Sequence, residues 1–378
     1  MTSFVKNEHL AHAAFYTIFF LTAIFLISHH LYGEYPCDTR SHLNAIQLFM
    51  DGKSYIPHPL WHLSVYYISY ITVEIKLAAI LFTSFLMTGW VLIIHRILYH
   101  FFCESNQCTY NSYQLLMILT VIVLIGPAYF PLYNDYIYKG IGSPNVWHNA
   151  TLFTVKPFAL LTVFFSVLGL KYDNIKYYIL AVVFFVVSMF AKPSFAIVFI
   201  PALVIYFILK KEYANKKLIF ICLTLVIFLL IVGYQFISAY GSSDSKIIID
   251  FLGVWSTKHP NVLFAIFTAL FFPLMFLLLS YKISLKDDWI VFSWIMMIIS
   301  IFYFATFAEE GPRYKAGNFG WGYQISLSIL YIFSIISFMR IRKKVIYYKR
   351  YILYAILFYQ WGIGVFYIGK ILNGLHYG

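Results

Sequence analysis

Most side chains able to move a proton or hold a phosphate stand in a few polar stretches between apolar runs. The first reads Tyr35-Pro-Cys-Asp38-Thr-Arg40-Ser-His42 and, past Ala45, Gly52 and Tyr55, His58-Pro59-Leu60-Trp61-His62. A carboxylate such as Asp38, placed just after an apolar segment, can accept the proton of a hydroxyl nucleophile. A cation beside it, here Arg40, feels that charge more strongly where water is scarce. Asp38 or Ser41 also suits the plain duty of capping a short helix. On the sequence both duties stay open.

The densest stretch comes late: Ala308-Glu309-Glu310-Gly311-Pro312-Arg313-Tyr314-Lys315-Ala316-Gly317-Asn318-Phe319-Gly320-Trp321-Gly322. Arg313 offers a planar fork that matches phosphate oxygens, with Lys315 as a second cation. Glu309 or Glu310 would bind acceptor hydroxyls, or serve as base in place of Asp38. Asn318 adds a polar contact and Trp321 a flat face for a sugar, while the glycines allow close backbone approach. An exposed Glu–Arg pair in an ordinary turn would contribute little. The gathering of so many unlike polar groups favours a site.

Between these lies Gly142-Ser-Pro-Asn145-Val-Trp147-His148-Asn149-Ala-Thr151, followed by Lys156-Pro157. Trp147 and His148 would touch a sugar and Lys156 a phosphate; an aromatic anchor with an interfacial lysine is the equal alternative. Asn149-Ala-Thr151 also matches the acceptor triplet for N-glycosylation. Lys192 interrupts a long apolar run in Ala191-Lys192-Pro193-Ser194, where a lysine is costly unless it reaches water or an anion; snorkelling would satisfy it too. Asp244, Lys246, Asp250 and Lys258 suggest no particular role. His42, His58, His62 and His148 fit no common metal spacing, and no phosphate-binding glycine loop appears, so neither metal nor cofactor is expected. Cys103 and Cys108 lack partner ligands, and all four cysteines are expected to be free thiols.

These residues need a scaffold, and the composition names its solvent. Only 11% of the 378 residues are charged and 62% are hydrophobic, too apolar for a water-solvated surface of this size. Continuous apolar runs such as Leu218 to Ile237 indicate membrane helices and not barrel strands. About eleven transmembrane helices are expected in one domain spanning 1–378, with short interfacial helices at Leu43–Asp51 and Leu63–Thr72 in the first outer loop. The net charge of +12 does not mark a nucleic-acid binder, because the basic residues sit in short turns. Arg96, Lys171–Lys176, Lys210–Lys217, Lys282–Lys286 and Arg340–Arg350 all fall on one side of the alternation, which places them and the N-terminus in the cytoplasm. The polar stretches described above then face outward.

An acidic residue just after the first membrane helix, an aromatic and small-residue helix, a glycine, and then His58-Pro59-Leu60 resemble the first external loop of GT-C glycosyltransferases. The Ala191-Lys192-Pro193-Ser194 break is similar to segments of bacterial members. The resemblance covers the architecture broadly; a soluble C-terminal domain and an acceptor-peptide motif, present in some members, are not seen. It implies a bacterial inner-membrane enzyme that moves a sugar from a polyprenyl-phosphate carrier to a periplasmic or cell-surface glycan or glycolipid, with Asp38 as the general base. A repeat-unit polymerase of O-antigen or capsule would bring paired arginines in large outer loops. A flippase of lipid-linked sugars would carry charges deep inside several helices.

Overall fold

The computed structural model describes residues 2–33, 37–53, 56, 58–104, 107–132, 137–211, 214–240 and 246–373. Tyr35, Tyr55 and Asp244, named above, lie outside them.

The chain is helical almost throughout, because helices satisfy their own backbone groups where no water can. In order it forms α1 (Thr2–Tyr32), α2 (Asp38–Met50), α3 (Leu60–Thr72) and α4 (Ile75–Phe102), then the strand pair β1 (Cys103–Glu104) and β2 (Gln107–Cys108). Next come α5 (Ser112–Leu124), α6 (Ala150–Tyr172), α7 (Ile175–Ala191), α8 (Ser194–Lys210) and α9 (Asn215–Tyr240). The last part holds β3 (Ile247–Ile249), α10 (Gly253–Lys258), α11 (Val262–Ala269), α12 (Phe271–Ser284), α13 (Asp288–Thr306), β4 (Phe307–Glu309), α14 (Gly320–Ile341) and α15 (Tyr347–Leu372).

Among the described residues, seven helices (α1, α4, α6, α9, α13, α14 and α15) are long and apolar enough to cross a bilayer. α11 and α12, bent by 70°, make an eighth if taken as one broken span, and α5, α7 and α8 are apolar but shorter. The chain is therefore an all-α, multi-pass membrane protein. Side-chain amides start several helices. Asn111 and Gln114 form a capping box on α5, Asn149 caps α6, and Asn174 caps α7. α7 stops because Lys192 precedes Pro193 and is forced extended, at φ −167° and ψ 112°. α2 and α3 are the two short helices expected in the first loop.

The apolar run that α5 begins does not stay helical to its end. α5 ends at Leu124, and the chain continues without regular structure. Its backbone groups find partners in other helices: Gly126 N–H donates to the Gln360 carbonyl and Ala128 N–H to the Thr268 carbonyl, both at 3.0 Å. The Gln360 side chain donates back to the Gly126 carbonyl at 3.1 Å. This crossing requires a bare backbone on α15, since a Cβ on Gly364 would lie 1.6 Å from the Leu124 carbonyl oxygen. Gly364→Ala is expected to lower stability by about 2–3 kcal/mol through forced displacement of the helix. Gly369→Ala on the same helix, with nothing within 4 Å of the added carbon, is the control. Thermal melts of the two purified variants check this.

Charge separates the two ends of the bundle. At one end Asp287 accepts from Arg340 at 3.2 Å and from Ser337 at 2.8 Å, Lys210 pairs with Asp288, and Arg342 covers Tyr110. β1 and β2 belong to this end. Their register sets Cys103 opposite Cys108, and the two form a disulfide. This corrects the expectation of free thiols for that pair: the antiparallel pairs Cys103–Cys108 and Glu104–Gln107 bring the two thiols face to face. Cys37, buried, and Cys222, exposed, are free. At the opposite end β3 pairs antiparallel with β4, Ile247 against Glu309 and Ile249 against Phe307, tying the stretch after α9 to the stretch after α13.

Candidate functional site

The site begins with Asn149. As N-cap of α6 its side-chain oxygen accepts from Leu152 N–H at 2.8 Å and from the Thr151 hydroxyl at 2.9 Å. That commitment fixes the amide, so its NH2 group points away from the helix and donates to Asp38 Oδ2 at 2.7 Å. Asp38 is the first residue of α2, and Cys37 holds the cap position without a side-chain bond. The cap duty considered for Asp38 and Ser41 is thus not used. The Thr151 hydroxyl also accepts from Lys192 Nζ at 2.9 Å. One continuous chain of hydrogen bonds therefore joins the lysine of the α7–α8 break to the carboxylate of α2.

These groups line a cavity of about 450 Å³. Its polar lining includes Asp38, His42, His58 and Asn149 from the first part of the chain and Glu309, Arg313 and Asn318 from β4 and the stretch before α14. Glu309 is 4% exposed, held by the β3–β4 pairing and by Asn318 Nδ2, which donates to it at 2.6 Å. Trp321 lines the cavity with Lys192 Nζ 4.4 Å from its ring centroid. The apolar wall comes from α8, α9 and α13, through Ile197, Val198, Val232, Phe236 and Tyr303. Phe236 is 49% exposed, so the cavity reaches the outside of the bundle at α9.

Electrostatics separate the cations from the imidazoles. Burial, with the charge of Lys192 adding, pushes His58 down to about 3 and His42 well below its ordinary range. Burial likewise lowers His62 to about 4. At neutral pH these rings are uncharged hydrogen-bonding groups, as the 3.1 Å contact between His42 Nδ1 and His62 Nε2 illustrates. Lys192 is pushed down to about 8 by burial, opposed by the carboxylate of Asp38.

Several residues expected at the site stand elsewhere. Arg40 closes α1, donating to the His30 and Leu31 carbonyls at 3.3 and 3.4 Å. His62 is 2% exposed behind His42 and supports it from α3. Trp147 is buried against Phe153, and His148 is buried between Tyr138 and Tyr367. Lys156 is 2% exposed, donates to the Pro144 carbonyl at 3.1 Å, lies 4.7 Å from the Trp90 ring centroid and does not line the cavity. Glu310 is exposed and bonds through its backbone to Lys246. Lys315 contributes its carbonyl to Lys258 and does not line the cavity. The Asn149 triplet is buried, which removes it as a modification site.

Gln235 was not anticipated. It lies in the apolar run of α9, lines the cavity and donates to the Met189 carbonyl at 3.1 Å. A lone amide inside such a run was the one available sign of it. Asn149 was visible only as part of a glycosylation triplet, and Thr151 likewise. Among the described residues no three of His, Cys, Asp and Glu converge to hold a metal ion. No family model matches the chain, and no curated protein matches it.

Proposed function

We propose that the protein is a membrane glycosyltransferase of GT-C type, moving a sugar from a polyprenyl-phosphate carrier to a glycan or glycolipid acceptor. The observation that carries this reading is one cavity holding two carboxylates, Asp38 and Glu309, two cations, Lys192 and Arg313, and an apolar wall that opens at the bundle surface. An isoprenoid tail suits that wall, and its phosphate suits the cations. The acceptor oxygen forms a bond to the anomeric carbon as the bond from that carbon to the phosphate oxygen breaks. Asp38, oriented by Asn149, takes the hydroxyl proton, and the carrier phosphate leaves with the electron pair. A single displacement of this kind inverts configuration. Lys192 and Arg313 stabilise the charge gathering on the leaving phosphate.

In this reading the broken α11–α12 pair and the shorter α5, α7 and α8 also traverse the membrane, giving eleven crossings. The basic end faces the cytoplasm of a bacterial cell, and the cavity faces the periplasm. The Cys103–Cys108 disulfide is the feature that argues against a reducing compartment at that end. Arg96 near the end of α4 and four basic clusters at later helix ends and turns outweigh it.

The test is reconstitution. Purified protein, a polyprenyl-phosphate sugar and a lipid-linked glycan should yield a lengthened glycan and released carrier phosphate. Movement of intact carrier across the bilayer with no transfer would replace the enzyme by a flippase, and polymerisation of whole repeat units would replace it by a polymerase. In the same assay Lys156→Met is expected to keep kcat and KM within about twofold, since the residue packs on Trp90 away from the cavity. A large loss of activity at unchanged melting temperature would return Lys156 to the site.

A further inference from the structure

A second hollow, of about 130 Å³, adjoins the large cavity. Ala316 and Trp321 line both, so the indole is a shared partition. Two lysines line the second hollow, Lys139 from the stretch before α6 and Lys258 from the end of α10, and among the described residues lining it there is no carboxylate. The Lys315 carbonyl, 3.0 Å from Lys258 Nζ, holds that ammonium in place.

Tyr138, Phe304, Tyr323 and Gln324 line the rest of it together with glycines that packing keeps bare. Gly140, Gly142 and Gly317 have φ of +74°, +87° and +64°. A Cβ on them would come within 2.5 Å of His259, 2.7 Å of Gln324 and 2.8 Å of Lys258, respectively. Walls of this kind let peptide groups approach a ligand closely. Burial lowers the pKa of Lys258, the charge of Lys139 lowers it further, and the Asp38 carboxylate opposes both. The two like charges therefore act on each other, and Asp38 is within electrostatic reach of this hollow as well as of Lys192. An anion between the lysines relieves their repulsion.

We propose that the second hollow is a subsite for an oxyanion, phosphate or carboxylate, carried by the acceptor. The word acceptor rests on the transferase reading; the binding of an oxyanion does not. The carrier phosphate of the donor occupies the Lys192 side of Trp321, and the anionic group of the acceptor occupies the Lys139–Lys258 side. This restricts acceptors to those with a phosphate linkage or an acidic sugar.

Binding is measured without turnover, in a Lys192→Met/Arg313→Gln background that silences the large cavity. Acylation of lysines is mapped by mass spectrometry with inorganic pyrophosphate, with glucuronate, or with neither, and labelled pyrophosphate binding is titrated in parallel. Pyrophosphate should protect Lys139 and Lys258 together, and Lys139→Gln/Lys258→Gln should weaken its binding by about tenfold or more, as expected for loss of charge-assisted contacts. Protection by pyrophosphate alone identifies a phosphate-linked acceptor; protection by glucuronate identifies an acidic sugar. Protection by neither, or unchanged affinity in the double glutamine variant at an unchanged melting temperature, overturns the subsite. Absence of sugar transfer by the unmodified protein defeats the transferase reading while leaving protection of the two lysines intact, so the two failures are distinguishable.

Discussion

Asp38→Asn is expected to reduce sugar transfer by about 10²–10⁴-fold in kcat, the usual contribution of a positioned general base, with little change in melting temperature. The substitution is nearly isosteric. The asparagine oxygen can still accept from Asn149, whose own oxygen stays committed to Leu152 and Thr151. What disappears is the charge that draws the proton from the acceptor hydroxyl. Asn149→Ala separates positioning from chemistry, because it leaves Asp38 ionisable but unaimed; kcat should fall by less than in Asp38→Asn, with donor KM retained. Glu309→Gln supplies the decisive contrast. Glu309 lines the same cavity, so an active Asp38→Asn protein beside a dead Glu309→Gln protein would move the base to β4. Glu310→Gln should change nothing, since that side chain does not line the cavity.

The scaffold was readable because a bilayer leaves the chain few choices. Apolar runs marked the helices, basic turns marked one end, and Lys192-Pro193 marked a break that Pro193 enforces. The first-loop residues Asp38, His42 and His58, and the late residues Glu309, Arg313, Asn318 and Trp321, stood out as polar groups beside membrane helices, and one cavity collects them. What escaped was tertiary. Asn149 and Asp38 are 111 positions apart, and no local pattern announces their bond. Lys156 reads equally as a phosphate contact and as an interfacial lysine, because the sequence does not show what packs on it. Its actual partner, Trp90, belongs to a distant helix. Arg40 lies two residues from Asp38, yet helical geometry turns it toward the carbonyls of α1. The stretch after α5 carries no sign of its irregular backbone, because a segment satisfied by Gln360 and Thr268 is as apolar as a helix would be.

Lys192 yields the prediction with the clearest pH signature. It is 7% exposed, donates to Thr151 and faces the cavity beside Trp321. Lys192→Met should lower kcat/KM for the donor by about 10²–10³-fold, the scale seen when one donor to a developing oxyanion is removed. The cation is the working form, and burial has lowered its pKa to about 8. Below that pH the ammonium is present; above it the neutral amine cannot stabilise the leaving phosphate. The kcat/KM of the unmodified protein should therefore fall about tenfold per unit above pH 8, because that parameter reports the free enzyme. In the kcat profile the same limb should move to higher pH, since a bound phosphate favours the charged form. Lys192→Arg keeps its charge throughout, so its alkaline limb should vanish even if the bulkier head group lowers the rate. Asp38 now opposes the downward shift, so Asp38→Asn should lower the pKa of Lys192 further, measured from the pH dependence of its acylation. A flat kcat/KM profile between pH 7 and 9.5, or a Lys192→Met protein with unaltered donor kinetics, would remove this lysine from the phosphate and leave Arg313 to hold it alone.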